Sequence, residues 1–464
     1  MPKQNKVLKE LSQALKDAGL PPKEGAKLTK SQTREVMSVL ESVPDGRVSA
    51  MCDYPLPEVL LLVFMGVLAD CNQWTELELF GNTNLRWLRK FYRYNHGVPS
   101  HDELRYIFSK IPTKQFQDVI IRFLEANIAH IKHALGLDTA LCGLTHYAID
   151  GKEENGTGRS YCASRQDKVR NQQTLHVWNV TDDICIYSEA IDSKTNEIPV
   201  AQNFLESRKS LRNILITFDA LHTQKKTWKI ILKKHGEAIG GLKGNQGGLL
   251  ENVSLCFDEK TKKELREGGD GKGYYKTVEK AHSQIETREY YLLKAYEDKE
   301  RDKEWGKITS FICVVKTINP TDPSKSPSQE IRYYISTLSD VIACAEGIRG
   351  HWACEVGHWC LDVIFREDDN TTMDINAYQN LSLLIKMTLH LIKLLKTLPK
   401  YSKYSMKSIR KVIGWDYEHT LKDLFSILDR EALKESLGEV KMTANDKKKA
   451  SELLKQEEED LRHF

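Results

Sequence analysis

Paired cysteines and long apolar runs are both missing from this 464-residue sequence. Its ten cysteines are scattered, without the CxxC pairs of a zinc ribbon or the density of a secreted disulfide scaffold. No apolar run approaches the roughly 18 residues of a membrane span, and the segment from Met1 to Lys6 lacks the apolar core of a signal peptide. We therefore expect a cytoplasmic protein without a membrane partner.

An excess of charge of one sign is also missing, since 68 Lys and Arg nearly balance 65 Asp and Glu. Such a balance neither requires nor excludes a nucleic-acid partner, so only local patches are informative. Basic residues interleaved with aromatic ones occur at Arg86, Arg89 and Lys90, and again between Lys400 and Lys411. These patches suit contacts to DNA phosphates and bases, although runs of charge are commonly no more than solvated surface.

Hydrophobic periodicity divides the chain into four predicted parts. These are a basic arm (1–30), a helical N-terminal domain (31–137), an α/β domain (138–398) and a basic, charged helical tail (399–464). In the second part, helical spacing predicts helices from Leu56 to Ala69, Trp74 to Tyr92 and Thr113 to Leu135.

Beyond residue 137 the pattern changes to short runs rich in Val, Ile and Thr, which are typical of strands. The predicted strands are Tyr147 to Asp150, Thr174 to Val180, Cys185 to Ile191 and Asn213 to Asp219, with helices at 198–207 and 223–235. A meander of three strands, then helix, strand and helix, is the order of a ribonuclease-H-like fold. We predict an α/β protein in which this core carries a β-rich insertion at about 247–330 and follows a helical domain.

Three acidic residues stand out from this pattern. Asp150 and Asp219 each end a strand-like run, and Glu355 lies in an aromatic-rich helical segment. An aspartate after a strand often caps a turn, but two at strand ends and a helical glutamate suit a divalent-metal site. If the three converge, the protein is a metal-dependent enzyme acting on phosphodiesters.

Two other motifs have competing interpretations. His351, Cys354 and His358 could share one helical face and bind zinc, but the tryptophans beside them favour a packed helix. The Gly-rich segment that begins at Leu242 and carries Lys243 and Asn245 could hold a phosphate or be an ordinary strand-to-helix loop. It lacks the full P-loop pattern, so the sequence does not support nucleotide hydrolysis.

Several separated motifs occur in a characteristic order. They are Val43-Pro-Asp-Gly-Arg47, Gly97-Val-Pro-Ser-His-Asp102, Ala148-Ile-Asp-Gly-Lys152, Thr217-Phe-Asp-Ala220, Arg349-Gly-His-Trp352 and Leu361-Asp-Val-Ile-Phe-Arg-Glu-Asp368. In this order they resemble the DDE transposases of bacterial insertion sequences, in the H-repeat-associated (ISAs-type) branch.

The resemblance implies that Asp150, Asp219 and Glu355 are the catalytic triad and bind two Mg²⁺ or Mn²⁺ ions. It also implies DNA cleavage at element ends and transfer of the freed 3′ ends to target DNA. The partners would be double-stranded DNA and a second copy of the chain in a synaptic homodimer, with the protein associated with the nucleoid when bound. Candidates for contacts near the scissile phosphate are Lys243, Asn245, Arg349 and His351.

One departure from the family pattern falls beside Glu355. The segment between Glu355 and the second His-Trp pair, which starts at His358, is one residue shorter than in the family. One missing residue rotates the rest of a helix by about 100°, so either Gly357 absorbs the change or Glu355 is displaced. The alternatives are therefore a nuclease that no longer transposes, or an inactive DNA-binding derivative.

Overall fold

The computed structural model describes residues 37–48, 52–135, 143–157, 171–191, 195–269, 271–281, 284–322, 324 and 326–428. The predicted basic arm and the part of the predicted tail beyond residue 428 lie outside these residues. None of the helices within them is both long and apolar enough to cross a bilayer.

Among the described residues, 37–41 are helical, and four longer helices precede the sheet: α1 (Leu56–Leu68), α2 (Trp74–Leu88), α3 (His101–Lys110) and α4 (Thr113–Leu135). Helix α1 is buried over nearly its whole length, as expected for a segment that is apolar on every side. The sequence pattern missed α3, which starts where the Ser100 hydroxyl accepts a hydrogen bond from the Glu103 amide. Helix α2 ends four residues before the predicted end at Tyr92.

Nine strands form one mixed sheet, interleaved with five helices. The order along the chain is β1 (Thr145–Glu154), β2 (Gln172–Asn179), β3 (Ile184–Ile191), α5 (Glu197–Ser207), β4 (Ile214–Phe218), α6 (Lys225–Lys233), β5 (Glu237–Leu242), α7 (Gly247–Leu255), α8 (Glu259–Glu267), β6 (Tyr274–Ala281), β7 (Gln284–Lys294), α9 (Lys299–Trp305), β8 (Ser310–Pro320) and β9 (Ser328–Ser336). The predicted strands before the insertion all form, within a few residues of their predicted bounds.

The strand order across the sheet is β3-β2-β1-β4-β5-β9-β8-β7-β6. Strands β1, β2 and β3 form an antiparallel meander, whereas β4 and β5 run parallel to β1. Parallel neighbours require crossover connections, and α5 and α6 supply helices in the segments leading to β4 and β5. Strand β4 ends at Phe218, opposite Ile149 in the middle of β1.

The predicted insertion continues the same sheet. Strand β9 pairs antiparallel with β5 from Ile239↔Ser336 to Leu242↔Tyr333, and β6 to β9 form an antiparallel meander beyond it. Because this pairing is made by backbone groups far apart in sequence, the pattern of side chains alone could not predict it.

Helices return after the sheet: α10 (Val341–His351), α11 (Ala353–Trp359), α12 (Ile375–Leu395), α13 (Pro399–Ser402), α14 (Met406–Trp415) and α15 (Tyr417–Leu428). Between α11 and α12 the backbone widens into a π-helical turn, Cys360–Ile364. The buried helix α12 packs against α1, α3, α4 and β3, and Asn380 on it donates to the carbonyls of Phe108 and Ile111. The N-terminal helices and the sheet thus share one apolar core with α12, while the predicted domain boundaries stay predictions.

Arg410 belongs to the basic segment between Lys400 and Lys411, which was predicted to form a patch for DNA, but its side chain does not lie at the surface. Its side chain is fully buried on α14 and donates to the carbonyl of Val67 and to Asn72. It also donates to the carbonyl of Ile364 and pairs with Asp70 at 3.0 Å. A buried guanidinium needs such partners, since an unpaired charge in the interior is costly.

Candidate functional site

Asp150 lies inside β1 and not at its end, contrary to the prediction. Strand β1 pairs with β4 only as far as Ile149↔Phe218, but its pairing with β2 continues to Glu154↔Gln172. The strand is therefore four residues longer than its apolar run, because a hydrogen-bonded neighbour supports the polar part. At Asp150 the parallel neighbour has ended, which opens a crevice beside its carboxylate.

Glu355 is presented by the first turn of α11, which packs on β1 and β2. The thiol of the neighbouring Cys354 is buried and donates to the carbonyl of Ala148 at 3.3 Å. Gly357 lies against the indole of Trp178 so closely that a Cβ on it would overlap the ring. These contacts fix the face of α11 that meets the sheet and leave Glu355 exposed on another face.

Asp150, Asp219 and Glu355 line one cavity of about 750 Å³. Its other walls include Lys243, Tyr334 and Trp352. The cavity lies where β4 ends beside β1 and where β9 joins β5, so the core strands, α10, α11 and the insertion all contribute to it. The structure thus brings to one cavity three acidic residues that lie in separate parts of the sequence.

Burial and negative neighbours dominate the electrostatics of the site. Burial, together with the nearby negative charges of Asp219 and Glu197, raises the pKa of Asp150 to about 7. Asp219 is held by a turn in which its Oδ1 accepts hydrogen bonds from the amides of Leu221 (2.9 Å) and His222 (3.2 Å). The negative charge gathered here is what a bound cation would offset.

The donor set matches hard divalent cations, because carboxylate oxygens are the ligands that Mg²⁺ and Mn²⁺ prefer. In the described part of the chain, no group of three or more His, Cys, Asp or Glu side chains is already arranged to hold a metal ion. This includes the alternative zinc set of His351, Cys354 and His358. The three carboxylates therefore face a common cavity without forming a closed cage.

His351 lies in the cavity wall as part of a buried chain of polar groups. Its Nδ1 is 3.2 Å from the hydroxyl of Thr217, which is 2.7 Å from Nε2 of His146. Burial lowers the pKa of His351 to about 4 and that of His146 to about 3, so both rings are neutral at neutral pH. A neutral His351 can exchange hydrogen bonds with a ligand but cannot neutralise a phosphate.

The other proposed DNA contacts occupy three settings. Lys243 is exposed at the cavity rim, whereas Asn245 is tied to the loop after β4 by a 2.7 Å hydrogen bond from its amide to the carbonyl of Ala220. Arg349 pairs with Glu279 on β6 at 3.4 Å and stacks over Trp352. These residues surround the site, and contact with DNA stays a prediction for each of them.

The basic patch of the helical region lies at the carboxyl end of α2. Arg86, Arg89 and Lys90 are all exposed there, and none of them lines the cavity. The Nζ of Lys90 is 2.7 Å from a carboxylate oxygen of Glu418 on α15, and Arg89 donates to the carbonyl of Tyr94. A role in DNA binding for this patch stays a prediction.

A buried ionic cluster beside the site was missed by the sequence analysis. Lys152 shares a face of β1 with Asp150, since residues two apart in a strand point the same way. Its ammonium group pairs with Glu154, with Asp362 at 2.9 Å, with Glu367 at 3.3 Å and with Asp368 at 3.4 Å. A lysine two residues after Asp150 and the Glu367-Asp368 pair are visible in the sequence, but nothing in it indicates that they meet.

Gly357→Ala is expected to displace α11 and with it Glu355. The added methyl group overlaps the buried ring of Trp178, so the helix or the ring must move, at a cost of about 1–3 kcal/mol. We expect a lower melting temperature and weaker metal-dependent cleavage of DNA. Gly248→Ala is the matched control, because a Cβ there meets nothing within 4 Å; equal effects of the two changes would contradict this role of Gly357.

Comparison with known proteins gives a consistent result. The model of the DDE_Tnp_1-associated family matches residues 37–124. The chain is 27% identical over 370 residues to "Putative transposase YncI" of Escherichia coli O157:H7, covering 78% of this chain and 87% of that protein. It is 28% identical over 349 residues to "H repeat-associated putative transposase YhhI" of Escherichia coli K12, covering 73% and 85%.

Among solved structures, a piggyBac transposase synaptic complex with hairpin DNA aligns with 96% of this chain and 82% of its own. The identity is 12% and the TM-score 0.34, which is too low to support an argument. The similarity in sequence is independent of it. Over about three quarters of its length the chain is similar to putative transposases, among them H repeat-associated ones, and its first helices match the DDE_Tnp_1-associated family.

Proposed function

We propose that this protein cuts DNA at the ends of a mobile element and joins the freed 3′ ends to target DNA, in a reaction that requires divalent metal ions. One observation carries the proposal: Asp150, Asp219 and Glu355 line a single cavity. The similarity to transposases of bacteria agrees with it.

The fold we propose for the catalytic part is ribonuclease-H-like. The strand order β3-β2-β1-β4-β5, with an antiparallel meander followed by two strands parallel to β1, supports this assignment. In open sheets with parallel strands, ligands bind in the crevice beyond the carboxyl ends of the strands, which is where Asp219 lies. The insertion then forms an extension of the sheet along one wall of the site.

Asp150, Asp219 and Glu355 would hold two Mg²⁺ or Mn²⁺ ions. Bound ions of this kind activate an attacking oxygen and stabilise the leaving oxygen in an in-line displacement at phosphorus. The residues themselves supply position and charge. The turn at Asp219 uses Oδ1 for two backbone amides and leaves Oδ2 for a cation, while the close packing of α11 on Trp178 sets the position of Glu355.

The proposed DNA contacts act around this centre. Lys243, exposed at the cavity rim, would bind a phosphate of the flanking strand, and Arg349 would do so after release from Glu279. The neutral His351 would accept or donate a hydrogen bond near the scissile phosphate, and Asn245 would contact the flanking strand. Arg86, Arg89 and Lys90 would hold the duplex farther away, and a homodimer would bring two element ends together.

The test uses the full chain and a plasmid that carries the gene with its natural flanking DNA. With Mg²⁺ or Mn²⁺ we expect strand breaks at the two element ends, and with a second plasmid present we expect joined products. The same reactions in EDTA are the control. Breaks without joining would assign the nuclease alternative, and binding without breaks would assign the inactive derivative; either outcome overturns the proposal.

A further inference from the structure

The imidazole of His358 on α11 lies directly beside the carboxylate of Asp150. Its Nδ1 is 3.7 Å from Oδ2 of Asp150, and the two side chains are only 13% and 27% exposed. The other oxygen of Asp150, Oδ1, accepts a hydrogen bond from the amide of Gly151 at 3.0 Å. A ring nitrogen of His358 thus faces the oxygen of the cavity-lining carboxylate that the backbone does not hold.

His176 on β2 holds the ring of His358 from the opposite side. It lies directly across from Asp150 in the pairing of β1 with β2, so the side chains of the two residues share one face of the sheet. Nδ1 of His176 is 2.9 Å from Nε2 of His358, and His176 is completely buried. His176, His358 and Asp150 therefore form a continuous chain of polar groups from the core to the cavity.

This chain has a direction, because two ring nitrogens in hydrogen-bond contact need one donor and one acceptor. Nε2 of His176 is buried and has no hydrogen-bond partner among the described residues. A proton there would be a stranded donor, at a cost of about 1–3 kcal/mol. With its proton on Nδ1 instead, His176 donates to Nε2 of His358, and His358 then carries its own proton on Nδ1.

The contact with Asp150 favours the same arrangement. A proton on Nδ1 of His358 points at the carboxylate, whereas the opposite arrangement would turn a bare ring nitrogen toward it, and two acceptors repel each other. The separation of 3.7 Å exceeds a hydrogen bond. Contacts of this kind in active sites are often long in the absence of a ligand and tighten when one binds.

We propose that His358 is a positioning residue that donates its Nδ1–H to Asp150 and holds this carboxylate in place for a divalent cation, while His176 fixes the position of the proton. This inference rests on the proposed function and adds to its site two residues that contact no metal. His358 follows Glu355 by three residues, so one turn of α11 presents both side chains. That turn would supply one ligand and the support of another.

The first test needs neither metal nor DNA. ¹⁵N nuclear magnetic resonance of the full chain labelled at histidine, in EDTA at pH 8, distinguishes a protonated ring nitrogen from a bare one. The signals of His358 are identified by their loss in His358→Asn. We expect the proton of His358 on Nδ1; a proton on Nε2 would leave no donor for Asp150 and would overturn the inference.

The second test compares His358→Phe with His358→Asn in the binding of Mn²⁺ alone, measured by electron paramagnetic resonance of the free ion. Phe keeps the volume of the ring but donates nothing, so we expect Mn²⁺ to bind at least about tenfold more weakly. Asn places an amide N–H near the position of Nδ1 and is expected to bind Mn²⁺ more tightly than the Phe variant. A residue that only fills space would give the reverse order, because Phe replaces more of its volume, and that order would overturn the inference.

His419→Phe is the matched control, since His419 also contacts an aspartate, Asp416, at 2.8 Å, but on the exposed surface of α15. It is expected to bind Mn²⁺ as the unaltered chain does. Melting in EDTA checks that each variant is folded. If His358→Phe does not fold, the position of the proton in the unaltered chain decides.

Asp150→Asn separates this inference from the proposed function. If it loses Mn²⁺ binding while His358→Phe binds as the unaltered chain does, the inference is overturned and the proposed function stands. If Asp150→Asn itself binds Mn²⁺ with unaltered affinity, the metal site of the proposed function is overturned, and the role of His358 with it.

Discussion

Replacing Asp150 with Asn is expected to reduce metal-dependent cleavage by at least about a thousandfold, which corresponds to roughly 4 kcal/mol of transition-state stabilisation. Asn keeps the shape of the side chain but removes the charge that would hold the cation. The measurement is the initial rate of plasmid nicking at saturating Mg²⁺. Asp322→Asn, in the exposed loop between β8 and β9, is the control and is expected to leave the rate unchanged.

The same substitution is expected to stabilise the protein in metal-free buffer. Burial raises the pKa of Asp150 to about 7, so the folded state binds a proton more tightly than the unfolded chain does. The free energy of unfolding therefore falls as the pH rises from about 4 to about 7, and stays low above that range. At pH 8 we expect Asp150→Asn to be more stable by about 2–4 kcal/mol.

Loss of cleavage together with a gain of stability separates a functional carboxylate from a structural one. A structural aspartate would lose stability when it is replaced, and cleavage would fall because less protein is folded. Urea unfolding in EDTA at pH 5 and at pH 8 gives the two stabilities. An Asp150→Asn protein that cleaves DNA at the normal rate, or that is less stable at pH 8, would contradict the assignment of Asp150.

Replacing Lys152 with Met is expected to lower the free energy of unfolding by about 3–5 kcal/mol, the usual cost of removing one partner from a buried ionic cluster. The ammonium group of Lys152 is only 4% exposed and faces Glu154, Asp362, Glu367 and Asp368. Without it, four carboxylates are left close together with less positive charge to offset them. The measurement is urea unfolding at pH 7.5.

Lys225→Met is the matched control for this change. Lys225 pairs with Glu304 across the surface, and both side chains are more than half exposed, so its loss is expected to cost about 0–1 kcal/mol. Lowering the pH should narrow the gap between the two variants, because protonation relieves the repulsion among the unpaired carboxylates. Equal stabilities of the two variants at pH 7.5 would refute the importance of the buried cluster.

The local elements could be predicted from the sequence because they depend on nearby residues. Alternation and β-branched residues mark β1 to β4, and apolar spacing marks α1, α2 and α4. The missed helix α3 has only three buried residues, Leu104, Ile107 and Phe108, so its apolar signal is weak. Its start signal, Ser100 followed by Glu103, was present in the sequence.

The site shows the same limit of prediction. Asp150 and Asp219 follow apolar strands, so each could be singled out locally, and the family resemblance supplied Glu355. Other features of the site depend on contacts between distant segments. They are the length of β1 beyond Asp150, the position of Glu197 against Gly151 and the carboxylates around Lys152. For Arg410 the local sequence was misleading. It lies in a run of basic residues that is typical of a solvated surface, but the side chain of Arg410 is buried against Val67 and Asp70.

The buried contacts of Arg410 and Asn380 have a consequence for exchanging parts between related genes. Arg410 joins α14 to the end of α1, and Asn380 joins α12 to α3, so the first helices depend on partners encoded about 270 to 340 positions later. A chimera that takes only its front part from a relative inherits mismatched partners at both contacts. Viable hybrids are expected to exchange the first and last helices together, leaving the sheet as the unit that can be replaced between them.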